Sequence, residues 1–162
     1  MRAVLCIAAM VISAVALSGC GADGTSTGAD AVVGAVRAYN DALSRAFVSL
    51  DMNELNQVAT EEQATREYYL MAALGEGRMR MLATLQSLEF GEVAFPEEGK
   101  ATVTTTEVWD YDHVSLDTSE TVRAERGVVY HLQYDLVLQD GHWLVDHVTS
   151  LDEPAESEET TP

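Results

Sequence analysis

Positive charge is what this 162-residue chain has least of: Lys and Arg together number 9, against 27 acidic residues, for a formal charge of -18. The pI is near 4.3. That deficit argues against a nucleic-acid binder, which gains affinity by neutralising phosphates with Lys and Arg. It also argues against a polybasic grip on anionic lipid. Only two cysteines are present, too few for a disulfide framework. The sequence has no Cys-x-x-Cys and no His-Glu-x-x-His. Its one Gly-x-Ser-x-Gly run, Gly24-Thr25-Ser26-Thr27-Gly28, and its one Gly-x-Gly-x-x-Gly run, Gly19 to Gly24, fall in the small polar stretch around and after Cys20 rather than behind a β-strand pattern. Serine and cysteine nucleophiles therefore have no support. No repeat recurs at a fixed period, so a solenoid is excluded. What is present is an ordinary 47% hydrophobic content and a length that suits one domain.

The first residues read as an address. Met1-Arg2 is a short positive start, and Ala3 to Leu17 carries no charge. That run is shorter than the roughly 20 residues a bilayer-spanning helix needs. A positive start, a short apolar stretch and small residues after it mark a secretory signal peptide over residues 1–19. The end of the stretch, Leu17-Ser18-Gly19-Cys20, resembles the lipobox of bacterial lipoproteins. The resemblance implies cleavage before Cys20 and a diacylglyceryl group on its sulfur. A multiply acylated cysteine anchors stably without a basic patch. The implied location is the exported side of the cell membrane or outer membrane, since Gly21 is not the Asp that resembles an inner-membrane retention signal. Residues 20–30 are small, polar and Gly-rich and read as the lipidated Cys and a flexible tether. Residues 152–162, acidic and Pro-containing, read as a disordered tail.

The folded body, residues 31–151, reads as helices and then strands. Val32, Val36, Tyr39, Leu43, Phe47 and Leu50 recur at steps of three and four, one buried helix face, with Asp30 as N-cap. Asp51 to Ala59 reads as a short second helix with Leu55 and Val58 or Ala59 inward. Thr60 and Gln63 make a capping box that opens a third helix carrying Ala64, Tyr68, Met71 and Leu74. Gly75 and Gly77 kink or break it, with Met81, Leu82 and Leu85 continuing beyond. The period then changes to two. Leu88, Phe90 and Phe95 belong to a first strand, with Gly91 a bulge, and Pro96 to Lys100 is a turn. In Ala101 to Val114, the residues Val103, Thr105, Glu107, Trp109 and Tyr111 share one face. A strand from Val128 to Leu138 follows, then an Asp140-Gly141 hairpin turn and a last strand over 142–150. Helices first and an antiparallel meander after them is an α+β pattern.

Several runs, weak singly, resemble the nuclear transport factor 2-like family, also called SnoaL-like. They are Val36-Arg37-Ala38-Tyr39, the 51–59 segment and the closing Asp140-Gly141-His142-Trp143-Leu144-Val145. Glu107-Val108-Trp109-Asp110-Tyr111 is similar to the middle strand of relatives in membrane-tethered and organelle-division proteins. The resemblance implies a cone: N-terminal helices packed on a strongly curved antiparallel sheet, often with a pocket between sheet and first helix.

Tyr39, Glu107, Trp109, Tyr111, Tyr130 and Tyr134 would line such a pocket, or the rings fill it as core. Enzymes on this fold use an acid as base and a Tyr or protonated acid as donor. Glu107 is the one carboxylate that qualifies, with Tyr39 as donor. No catalytic residue is carried over from the family, and no cofactor is implied. His131 and Asp135 share a strand face near His147, but a solvated polar face explains them better than a metal site. The leading expectation is a non-catalytic binding or protein-interaction domain presented at the cell envelope. Its partners would be the membrane through the lipid, and a second copy or an envelope protein docked on the face of Val129, His131, Gln133 and Asp135. The alternatives are a carrier of a small apolar ligand and an isomerase-like or hydrolytic enzyme using Glu107.

Overall fold

The computed structural model describes the backbone of residues 24–152 and the side chains of residues 28–152. The expected signal peptide over residues 1–19, Cys20 and the expected tail beyond Asp152 lie outside the described residues. In chain order come α1 (Gly24–Ser49), a 3-10 turn (Leu55–Gln57), α2 (Glu61–Glu76), β1 (Met79–Glu97), β2 (Lys100–Ser115), β3 (Thr121–Gln139) and β4 (His142–Ser150). The strands form one antiparallel sheet in the order β1-β2-β3-β4. Two helices packed on a curved four-stranded sheet is the α+β architecture that the change of period predicts.

Helix α1 buries Val32, Val36, Tyr39, Ala42, Ala46 and Phe47, the stripe expected of a helix lying on a sheet. It ends because Leu50 turns to a φ of 57° while its N–H still donates to the Ala46 carbonyl at 2.7 Å. Thr60 caps α2: its side chain accepts from the Gln63 N–H at 3.4 Å. The Gln63 side chain does not return the bond to the cap. It turns inward, toward the site described below.

Long strands acquire their bends at bulges. The β1–β2 register shifts between Phe90 and Val93, at the expected Gly91. A Cβ on Gly91 would run into the Thr104 hydroxyl while clearing the Thr104 carbonyl, so glycine there makes room for the Thr104 side chain on the neighbouring strand. The β2–β3 register shifts between Trp109 and Tyr111, close to Gly127 at φ 64°. The Asp140-Gly141 turn has φ of 50° and 82°, the paired positive angles of a two-residue hairpin loop.

The core lies between α1 and the inner sheet face, where Val103, Tyr134, Leu136 and Val145 meet Val32, Val36, Tyr39 and Leu55. The segment before α2 is fastened to β4. Val145 N donates to Val58 O at 3.0 Å, and Thr60 N to Val145 O at 2.9 Å.

The structure departs from the sequence reading in several places. Helix α1 starts at Gly24, so Asp30 lies inside it and is no cap, and Gly24–Asp30 of the expected tether is helical. The second helix shrinks to one 3-10 turn, though Leu55 and Ala59 are buried as expected. Helix α2 stops at Gly77, and Met81, Leu82 and Leu85 belong to β1. A strand can begin there because Arg78 takes a φ of 57° and reverses the chain. Tyr68 faces out, 53% exposed, as do Leu138 and Phe95 in the strands. Strand β3 begins at Thr121, well before Val128. Asp152, placed in the tail, is bound to the fold through His131, whose ring nitrogen lies 2.8 Å from Asp152 Oδ1.

Candidate functional site

Strand β2 places Glu107 on the inner sheet face, opposite Leu88 of β1 and Tyr130 of β3, where it is 1% exposed. A carboxylate this deep needs partners. Its Oε1 accepts from Asn40 Nδ2 at 3.2 Å, Thr105 Oγ1 at 2.9 Å and the Tyr134 hydroxyl at 2.8 Å. Its Oε2 accepts from Trp109 Nε1 at 2.8 Å. These four neighbours come from α1, β2 and β3, so one side chain joins the helix to the sheet. All four donate and all four are neutral, an arrangement that suits a group that only accepts.

A second polar cluster lies between α1 and α2. The Tyr39 hydroxyl donates to Glu67 Oε1 at 2.9 Å. Gln63 Nε2 lies 2.9 Å from both the Tyr39 oxygen and Glu67 Oε1. With its amide donor turned to the acid, Gln63 Oε1 is left buried with no partner. Burial raises the Glu67 carboxyl above the ordinary glutamate range, although the Tyr39 and Gln63 bonds act the other way. Burial pushes the Tyr39 and Tyr134 hydroxyls far up, the neighbouring acids adding to it.

Between these clusters is a cavity of about 340 Å³. Tyr39, Asn40, Glu107 and Tyr134 line one part of it, and Trp109, Tyr111 and Tyr130 another. Phe47, Leu70, Met81, Leu132 and Val148 add apolar surface, and His113, Glu125 and Glu67 are polar lining. Trp109 and Tyr111 lie parallel, with centroids 6.0 Å apart and planes 8° apart. Tyr130 stands at 73° to Tyr111 at 6.4 Å, so the rings form two walls meeting at a corner. The size falls within the range of small-molecule sites, and the lining is largely apolar with a few placed polar groups.

All six residues expected to line a pocket do line this one cavity. Tyr39, expected as a donor beside Glu107, instead donates its hydrogen bond to Glu67; the hydroxyl beside Glu107 is that of Tyr134. The sequence reading overlooked Glu67, Asn40 and Gln63. A signal for Glu67 existed, since it lies three residues after Ala64 and four before Met71 on the buried face of α2. Of the histidines singled out, His131 pairs with Asp152 and His147 abuts Arg66. On the outer sheet face Val129 is 50% exposed, and Gln133 donates to Asp135 at 2.9 Å.

No family model matches the chain, and no curated protein matches it. Among solved structures, the intermembrane space region of chloroplast protein ARC6 superposes with a TM-score of 0.66 at 17% identity, over 74% of this chain and 93% of that one. An uncharacterised protein with a cystatin-like fold from Caulobacter vibrioides gives 0.45 at 14% identity, over 78% and 91%. A protein from Catenulispora acidiphila gives 0.45 at 12%, over 76% and 94%. At such identity the ARC6 likeness speaks for the fold alone: helices followed by an antiparallel meander, nearly end to end in the matched region.

Proposed function

We propose that the chain is an exported lipoprotein, anchored through Cys20, whose nuclear transport factor 2-like cone binds a small, largely apolar molecule. The observation that carries the binding part is the cavity of about 340 Å³ under α1, lined by Trp109, Tyr111, Tyr130 and Tyr134. Space there favours a ligand carrier over a module whose cone is filled. Hydrogen bonding favours holding over proton transfer. Glu107 Oε1 already accepts three bonds, and the Tyr39 proton is committed to Glu67. The anchor rests on the Leu17-Ser18-Gly19-Cys20 run and the uncharged stretch before it. Among the described residues no helix is long and apolar enough to cross a membrane.

The chain has two tryptophans, and Trp109 is the one in the cavity. A Trp143→Phe variant therefore makes tryptophan emission a reporter of the cavity. Native mass spectrometry of the purified protein should show a non-covalent adduct, and stripping it should change Trp109 emission. Protein free of adduct, with emission indifferent to every small apolar probe, would refute the carrier reading. Mass spectrometry that finds unmodified Cys20 would refute the anchor separately.

A further inference from the structure

We propose that the ligand is a compact organic cation, an amine or quaternary ammonium carried on an apolar body. The inference rests on the reading of the cavity as a ligand site, and deepens it by naming the chemistry of the ligand.

Charge balance comes first. Three acids, Glu67, Glu107 and Glu125, line the cavity, with neither Lys nor Arg among its lining residues. Glu125 is offset by Arg123 at 3.0 Å. Glu107 has no such offset: every hydrogen bond it receives comes from a neutral donor. Glu67 is likewise bonded only to the neutral Tyr39 and Gln63, although burial makes it hold a proton more readily than an ordinary glutamate. Neutral donors solvate an anion without cancelling its field, and that field is strong where water is scarce. His113, the one lining side chain able to carry positive charge, sits 3.8 Å from Glu125 rather than beside Glu107. A cation entering the cavity would therefore find the attraction of Glu107 uncancelled, while an anion would meet repulsion from it.

The aromatic walls are an independent observation and point the same way. Ring faces carry negative quadrupole charge, and cations seat against them. The corner formed by Tyr111 and Tyr130, with Trp109 parallel to Tyr111, presents rings in two near-perpendicular planes. That is the geometry of a partial aromatic cage, suited to the rounded head of an ammonium. The apolar lining suits the remainder of the molecule. A chain of formal charge -18 would in addition draw cations toward itself from solution.

The experiment titrates the Trp143→Phe protein with benzyltrimethylammonium, with its neutral carbon isostere neopentylbenzene and with the anion 3-phenylpropanoate. Trp109 emission reports on occupancy. The cation is expected to bind about tenfold or more tighter than the isostere, and the anion weakest of the three. Glu107→Gln should shrink the cation-to-isostere ratio. Because that variant risks misfolding, Glu67→Gln and Tyr130→Leu are made in parallel, and each should lower the same ratio. Equal or tighter binding of neopentylbenzene, or a ratio unmoved in folded variants, overturns the cation and leaves the carrier standing. Binding of none of the three, with no adduct carried through purification, overturns both.

Discussion

At the scale of single residues, Glu107 is the keystone of the interior. Glu107→Leu would leave Asn40, Thr105, Trp109 and Tyr134 without their shared acceptor in a buried setting. The expected cost is about 3 kcal/mol of unfolding free energy, read from urea denaturation. Two acids should set opposite slopes in the dependence of stability on pH. Glu67 is raised by burial, so the folded state holds its proton more tightly than the unfolded state does. Its contribution is present below the ordinary glutamate value and is lost as pH rises through the raised one. Glu67→Gln should therefore flatten the fall in urea midpoint from acid toward neutral pH. Asp152 is lowered, chiefly by the hydrogen bond from the His131 ring. Its contribution is present above the unfolded value and is lost as pH falls through the lowered one, so His131→Ala, which keeps the backbone N–H bond to Asp152, should reduce that acid-side loss. Glu107 was legible because strict alternation along β2 put it on the same face as Val103 and Trp109. Asn40 and Glu67 were not, because a polar residue on a helix face reads as solvent-facing until something is known to lie over it.

At the scale of elements, the bulge at Gly91 is the most exacting join. Gly91→Ala drives a Cβ into Thr104 Oγ1 across the strand pair. About 1 kcal/mol of destabilisation is expected, and Thr104→Ala in the same chain should recover most of it. A double-mutant cycle by thermal or urea melting checks the coupling; two simply additive losses would contradict the close approach. The element order and the Asp140-Gly141 hairpin were readable, since turn chemistry and period-two alternation are local. The end of α2 was harder to place. Met81, Leu82 and Leu85 fit a helical spacing, and only the reversal at Arg78 and pairing with β2 make them strand. The early start of β3 escaped notice for a related reason: Thr121 to Gly127 is mostly exposed and shows no apolar alternation.

At the scale of the whole molecule, the expected arrangement is an acidic body held near a membrane by lipid alone. Cys20→Ser should abolish incorporation of labelled fatty acid and release the protein from the membrane fraction, with the urea midpoint of the domain unchanged. An unaltered distribution would contradict the anchor. The meander architecture was legible from the sequence; the open volume inside it was not, because the same aromatic residues describe a filled interior or a lined one. The clamp between Val58–Thr60 and Val145 has a consequence for association. It occupies the rim of β4 at its middle, where an unprotected last strand would invite a neighbour to extend the sheet. A second molecule attempting such growth must approach along β1, whose ladder is broken by register shifts, or along the first half of β3, which β4 leaves uncovered. Edge-to-edge growth is thereby steered away from β4 and toward the uncovered first half of β3, the one stretch of this sheet's β4-side edge that neither strand nor clamp occupies among the described residues.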